Sequence, residues 1–173
     1  GTGLQFDDAD GTYDFGGNIT LNGGDAGIDI INGSDGTFTF ANMDITDPTG
    51  TAFFVDGGMS DINYNAGTIT KNNAGRPVII QNRAGGTVDI DADIVASGTA
   101  SGISVTGSTA ANTVRFDGTT TRGSMGDRIN ANTGVTVDNN TQAGAEVAFA
   151  DLNVFTDGQR GLMVSGGGTF TTT

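Results

Sequence analysis

Apolar residues recur along this chain at a step of 25. Ile28, Phe53, Val78 and Ile103 follow one another at that step, and Ile30, Val55, Ile80 and Val105 repeat it two residues later. One residue separates the members of each pair, which is the alternation of a strand and not the 3.6-residue period of a helix. Two more series keep the same register. Tyr13/Phe15, Phe38/Phe40, Ile62/Tyr64, Val88/Ile90, Val114/Phe116 and Val147/Phe149 advance by steps of 25, 24, 26, 26 and 33. Between them lie Ile19/Leu21, Met43/Ile45, Ile69, Ile94 and Leu152/Val154. Each repeat therefore reads as three short strands separated by turns. A fixed period means stacked supersecondary units. Three strands per unit predict an all-β chain folded as a parallel β-helix, a solenoid of about six coils spanning 1–173 as one segment. A sandwich would need hairpins, whose strands need not recur at one step.

The register reaches both ends. Leu4 and Phe6 stand 24 residues before Ile28 and Ile30, in the place of a third strand. Gly168-Thr169-Phe170 restarts the pattern of Gly36-Thr37-Phe38, in the place of a first strand. Both ends are thus expected to fall mid-coil. At roughly 4.8 Å between stacked strands, six coils make a rod of about 30 Å. One coil departs from the period. The next apolar pair after Phe116 is Val135/Val137, so residues 117–134, which include Arg122 and Arg128, are expected to form a surface insertion loop.

Composition bears on the turns. The chain has 30 Gly, no Cys, no His and no Trp. Gly and Asn alternate just after the third strand, at Asn32, Gly57, Asn82, Gly107, Asn139 and Gly166. These residue types tolerate the left-handed backbone that a sharp corner needs. The net charge is −13, and residues 1–61 hold eleven acidic side chains and no basic one. Such a surface argues against nucleic acid as a partner and against an anionic membrane surface. It keeps a Gly-rich rod soluble.

Gly75-Arg76-Pro77-Val78-Ile79-Ile80-Gln81-Asn82, followed by Gly85-Gly86-Thr87-Val88-Asp89-Ile90, resembles the repeat phrase of large bacterial exoproteins with β-strand repeats. These are similar in style to autotransporter passengers and filamentous adhesins. The resemblance implies a right-handed parallel β-helix, export to the cell surface or the extracellular space, and a structural or adhesive role that extends to filaments. It carries over no catalytic residue.

Four sets of residues are candidates for chemistry or contact. Asp7, Asp8 and Asp10 cluster near Asn32 and Asp35 of the next coil, and an oxygen-rich, Gly-containing loop suits Ca²⁺. The same acids would equally serve as a solvated turn. Asp91 and Asp117 each follow the last inward residue of a first strand, one coil apart. Two carboxylates roughly 5–9.5 Å apart could cleave a glycosidic bond. A carbohydrate-active β-helix, a polysaccharide lyase or hydrolase or a glycan-binding module, is the alternative function. The competing expectation there is a cross-strand ion pair between Asp89 and Arg115. A Thr-x-Thr ladder for ice is broken by charges along the first strands.

The outward third-strand row contains Phe54, Ile79 and Met163. Adjacent exposed apolar residues mark lateral contacts, or they lie under a local loop. The end strands, with Leu4, Phe6 and Phe170, are open edges that invite pairing with further coils of the same chain or with neighbouring copies end to end.

Overall fold

The structure, a computed structural model, describes residues 3–25, 27–125 and 134–173. The described residues form sixteen strands, all paired in parallel, and contain no helix. The third strands of successive coils are β1 (Leu4–Asp7), β3 (Ile28–Ile31), β5 (Phe53–Asp56), β8 (Val78–Gln81), β11 (Ser104–Thr106), β13 (Val135–Asp138) and β15 (Leu162–Val164). They stack in that order as a seven-stranded sheet.

The first and second strands form the rest of the wall. They are continuous through their shared corner in β2 (Thr12–Asn22), β4 (Thr37–Thr46), β12 (Thr113–Arg122) and β14 (Glu146–Val154). Two coils split them, into β6 (Asp61–Tyr64) with β7 (Gly67–Lys71), and β9 (Thr87–Ile90) with β10 (Asp93–Ala96). The last strand is β16 (Thr169–Thr172). The chain is a β-solenoid of about six turns with coils of about 25 residues.

The observed register is the one the apolar pattern predicts. Leu4 pairs with Ile28, Ile28 with Phe53, and Phe53 with Val78. Phe38 and Phe40 pair with Ile62 and Tyr64, and these with Val88 and Ile90. Because side chains alternate across a strand, every one of these residues from Ile28 to Ile90 turns inward and is buried. Aromatic rings stack from coil to coil at Tyr13 on Phe38, Phe15 on Phe40 and Phe116 on Phe149, whereas Phe40 and Tyr64 are tilted by 56°. The ring centroids of Tyr13 and Phe38 lie 4.9 Å apart and those of Phe116 and Phe149 4.5 Å apart, each pair nearly parallel. Tyr64 keeps its hydroxyl in this apolar stack by donating to Met43 O at 2.7 Å, as a buried phenol must.

The corners obey backbone sterics. Asn32, Asn82 and Asn139 have φ of 56°, 55° and 58°, and the alternating glycines Gly57, Gly107 and Gly166 are left-handed too. At Gly67 (φ 119°) a Cβ would collide with Met43 O of the coil below, so the coil spacing there depends on a missing side chain.

The long coil differs from expectation. Residues 117–122 do not bulge from the wall. They continue β12, where Ile94 pairs with Thr120 and Ala96 with Arg122. Thr120 and Arg122 fill inward positions of the second strand and are buried. The extra residues fall later in the sequence, between Arg122 and Val135. There 123–134 stand where 97–102 suffice one coil earlier. Residues 126–133 of the expected loop, Arg128 among them, lie outside the described residues.

A carboxylate cluster at the first corner

Asp91 and Asp117 follow the inward residues Ile90 and Phe116, which pair across adjacent coils. Gly118 allows a close approach at this corner. A Cβ on it would run into the carbonyls of Asp91 and Ala92. Asp89 and Arg115 stand side by side on the outer face, one strand position earlier. The result is that Asp89, Asp91 and Asp117 each place a carboxylate oxygen within 4.8 Å of the others. Asp91 and Asp117 are exposed and Asp89 is half-buried.

The expected Asp89–Arg115 ion pair does not form. Arg115 Nη2 turns to Glu146 Oε2 of the following coil at 3.9 Å. Asp89 Oδ1 is buried without a hydrogen-bond partner. Burial first, then the charges of Asp91 and Asp117, hold the Asp89 carboxyl above the usual carboxylate range. Arg115 opposes them. Three carboxylate oxygens this close make a set that could hold a hard divalent cation, whose oxygen ligands lie at roughly 2.3–2.6 Å. This separation falls short of the roughly 6.5–9.5 Å of an acid–base pair that cleaves sugars and lies nearer the roughly 5–5.5 Å of a nucleophile and its acid.

The N-terminal acids are arranged differently. Asp7 Oδ1 accepts from Asn32 Nδ2 at 2.7 Å, and Asp10 Oδ1 accepts the backbone N–H of Asp35 at 3.1 Å. Asp8 occupies a left-handed corner position, φ 52°. Among the described residues, the three carboxylates that converge are Asp89, Asp91 and Asp117.

Much of the acidity bonds coil to coil. Asp35 accepts the N–H of Met59 at 2.7 Å, Asp44 that of Thr68 at 3.0 Å, Asp61 that of Thr87 and Asp93 that of Thr119, both at 2.9 Å. Asp47 takes two amides, Asn72 N at 2.9 Å and Asn73 N at 3.0 Å, and these bonds hold its carboxyl below the usual range. A charged acceptor strengthens such a bond. The alternation pattern does not mark these residues, and in the register they face Thr, Met or Asn of the next coil rather than another acid.

Sequence reasoning also missed the buried cations. Lys71, Arg83 and Arg122 sit inside the solenoid. Lys71 Nζ donates to Pro48 O and Asn73 Oδ1. Arg122 Nη2 donates to Ala100 O. Burial lowers the Arg83 guanidinium to about 10, with the charges of Asp35 and Asp61 acting against the shift.

The predicted contact residues lie as the register requires. Phe54 stacks on Ile79 in the outward row, Met163 closes that row beside Thr136, and all three are half-buried. Leu4 and Phe6 in β1 and Phe170 in β16 pack part-buried against the ends of the core.

No protein-family model, curated protein or solved structure matches the chain.

Proposed function

We propose that the chain is a structural or adhesive β-helix segment of a bacterial extracellular or cell-surface protein. In its working state, further coils of the same chain or a neighbouring copy cover its two open ends. One observation carries this reading. The apolar core runs unbroken through the stacked coils, with part-buried apolar residues packed on it at both ends of the stack. Leu4, Phe6, Tyr13 and Phe15 line one end, and Leu152, Val154 and Phe170 the other. Leu162 and Val164 of β15 are 40% and 45% exposed. Apolar side chains on an unpaired parallel edge favour continuation of the stack. The resemblance of residues 75–90 to exoprotein repeats supports export and an adhesive or filament-forming role. The test is light scattering coupled to size exclusion over a wide concentration range. Growth in mass with concentration, suppressed by Leu162→Asp, is expected. A soluble monomer at every concentration, with both end strands ordered and exposed, would overturn it.

The second reading is a carbohydrate-active β-helix, and the meeting of Asp91 with Asp117 favours it. Polysaccharide binding or cleavage that disappears in Asp117→Asn, with melting unchanged, would support this function. Activity indifferent to both Asp91→Asn and Asp117→Asn would remove it.

A further inference from the structure

Lys71 is the one lysine of the chain, and it is fully buried. It ends β7, where alternation turns it inward together with Ile69. Its stem runs past Gly75. A Cβ there would stand 3.3 Å from Lys71 Cε and 3.7 Å from Nζ, so the glycine leaves the room that the lysine fills.

The amine rests on two oxygens. Nζ donates to Pro48 O and to the side-chain Oδ1 of Asn73, two residues further along. The Asn73 carboxamide is fixed in turn by the coil before. Its Nδ2 donates to Asp47 O at 3.2 Å, and the Asn73 backbone N–H donates to Asp47 Oδ1 at 3.0 Å. The nitrogen end of the carboxamide therefore faces Asp47 and the carbonyl end faces the lysine. Burial holds the Lys71 amine below the usual lysine value, with the charge of Asp47 acting against the shift. A desolvated lysine that sheds its proton is a nucleophile.

We propose that Lys71 and Asn73 are a modification site, at which the lysine amine displaces the side-chain nitrogen of the asparagine to form an intramolecular isopeptide bond. Unprotonated Nζ adds to Cγ of Asn73. The Nζ–Cγ bond forms and the Cγ–Nδ2 bond breaks. Nδ2 leaves as ammonia, taking one of the two Nζ protons. No oxidant, metal or second substrate is consumed. Nζ already touches the oxygen bonded to Cγ, so a turn about the last side-chain bonds of the lysine brings it onto the carbon. Holding the two groups together makes the step unimolecular. The product replaces a buried ammonium with a neutral amide, which removes the cost of desolvating the charge. So short a loop gains little from chain entropy. The bond would instead fix the turn that follows β7.

The test is the intact mass of the purified, unfolded chain together with its tryptic digest. A mass below that of the sequence by one ammonia is expected, with the bond after Lys71 left uncut and fragment ions placing the loss within residues 71–73. Amine reagents should fail to label Lys71 in the unfolded chain. A succinimide at Asn22 or Asn32 also loses ammonia, but it leaves Lys71 open to trypsin and to the reagent. Asn73→Ala and Lys71→Met should each show the full mass of their own sequence, and trypsin should cut Asn73→Ala after Lys71. A parent of full sequence mass after days in mildly alkaline buffer, cut and labelled at Lys71, would overturn the proposal. So would an ammonia loss located elsewhere. If neither variant folds, the parent measurements decide alone.

Discussion

Arg115 lies directly beside Asp89 in the sheet, yet its guanidinium turns away to Glu146 in the next coil. Asp89 is left facing Asp91 and Asp117, with one oxygen buried and unpartnered. Its carboxyl is consequently raised above the usual range. The folded state then binds the Asp89 proton more tightly than the unfolded state does. Ionised Asp89 costs stability, and the cost grows as pH rises from below the ordinary aspartate value through the elevated one.

Asp89→Asn should therefore stabilise the protein at pH 7, by roughly 0.5–1 kcal/mol after solvent screening. The gain should vanish below about pH 3, where the parent carboxyl is already neutral. Thermal melts of both proteins at pH 3 and pH 7 check this. A variant less stable than the parent at pH 7 would show that Asp89 has a favourable partner.

Asp47 has the opposite sign. Its carboxyl is depressed because the charged form accepts Asn72 N and Asn73 N. That stabilisation is present above the unfolded aspartate value and is lost as pH falls through the lower folded one. Asp47→Ala should cost roughly 1 kcal/mol at neutral pH, comparable to losing a helix N-cap, and the difference should narrow in acid. Equal losses at both pH values would mean that the charge is not what caps these amides.

Thr120 carries its hydroxyl into the core, where Ile94 and Leu152 flank it in the stack. Its Oγ1 is buried and unpartnered. Thr120→Val keeps the branched shape and removes the orphaned group, so stability should rise by roughly 1 kcal/mol. Chemical denaturation measures it, and a loss of stability would reveal a hidden partner for the hydroxyl.

Phe40 and Phe54 separate the inner face from the outer. Phe40 is fully buried between Phe15 and Tyr64, while Phe54 is half-buried on the outer row. Phe40→Ala should cost about 3–5 kcal/mol, and Phe40→Asp should prevent folding by placing a charge in a dry stack. Phe54→Ala should cost far less. Equal losses at the two positions would contradict the register.

The architecture was legible in the sequence because a solenoid repeats one environment in every coil. An inward position meets the same neighbours above and below, so Phe38, Ile62 and Val88 are selected alike and recur at nearly constant step. The same logic places Asn32, Asn82 and Asn139 at left-handed corners. It failed wherever the inward residue is polar. Thr120 and Arg122 occupy core positions of β12, but they broke the apolar series and so read as a loop. Only the packed structure supplies the Ala100 carbonyl that receives Arg122. Side-chain direction was equally hidden. Register alone puts Asp89 next to Arg115, Asp91 and Asp117. Which partner Arg115 takes depends on the rotamer and on Glu146 one coil further on. Periodicity thus determined the backbone path and the buried faces, which depend on spacing alone. The tertiary structure decided the carboxylate cluster, the coil-to-coil aspartate bonds and the setting of Lys71, because those depend on distances between atoms in different coils.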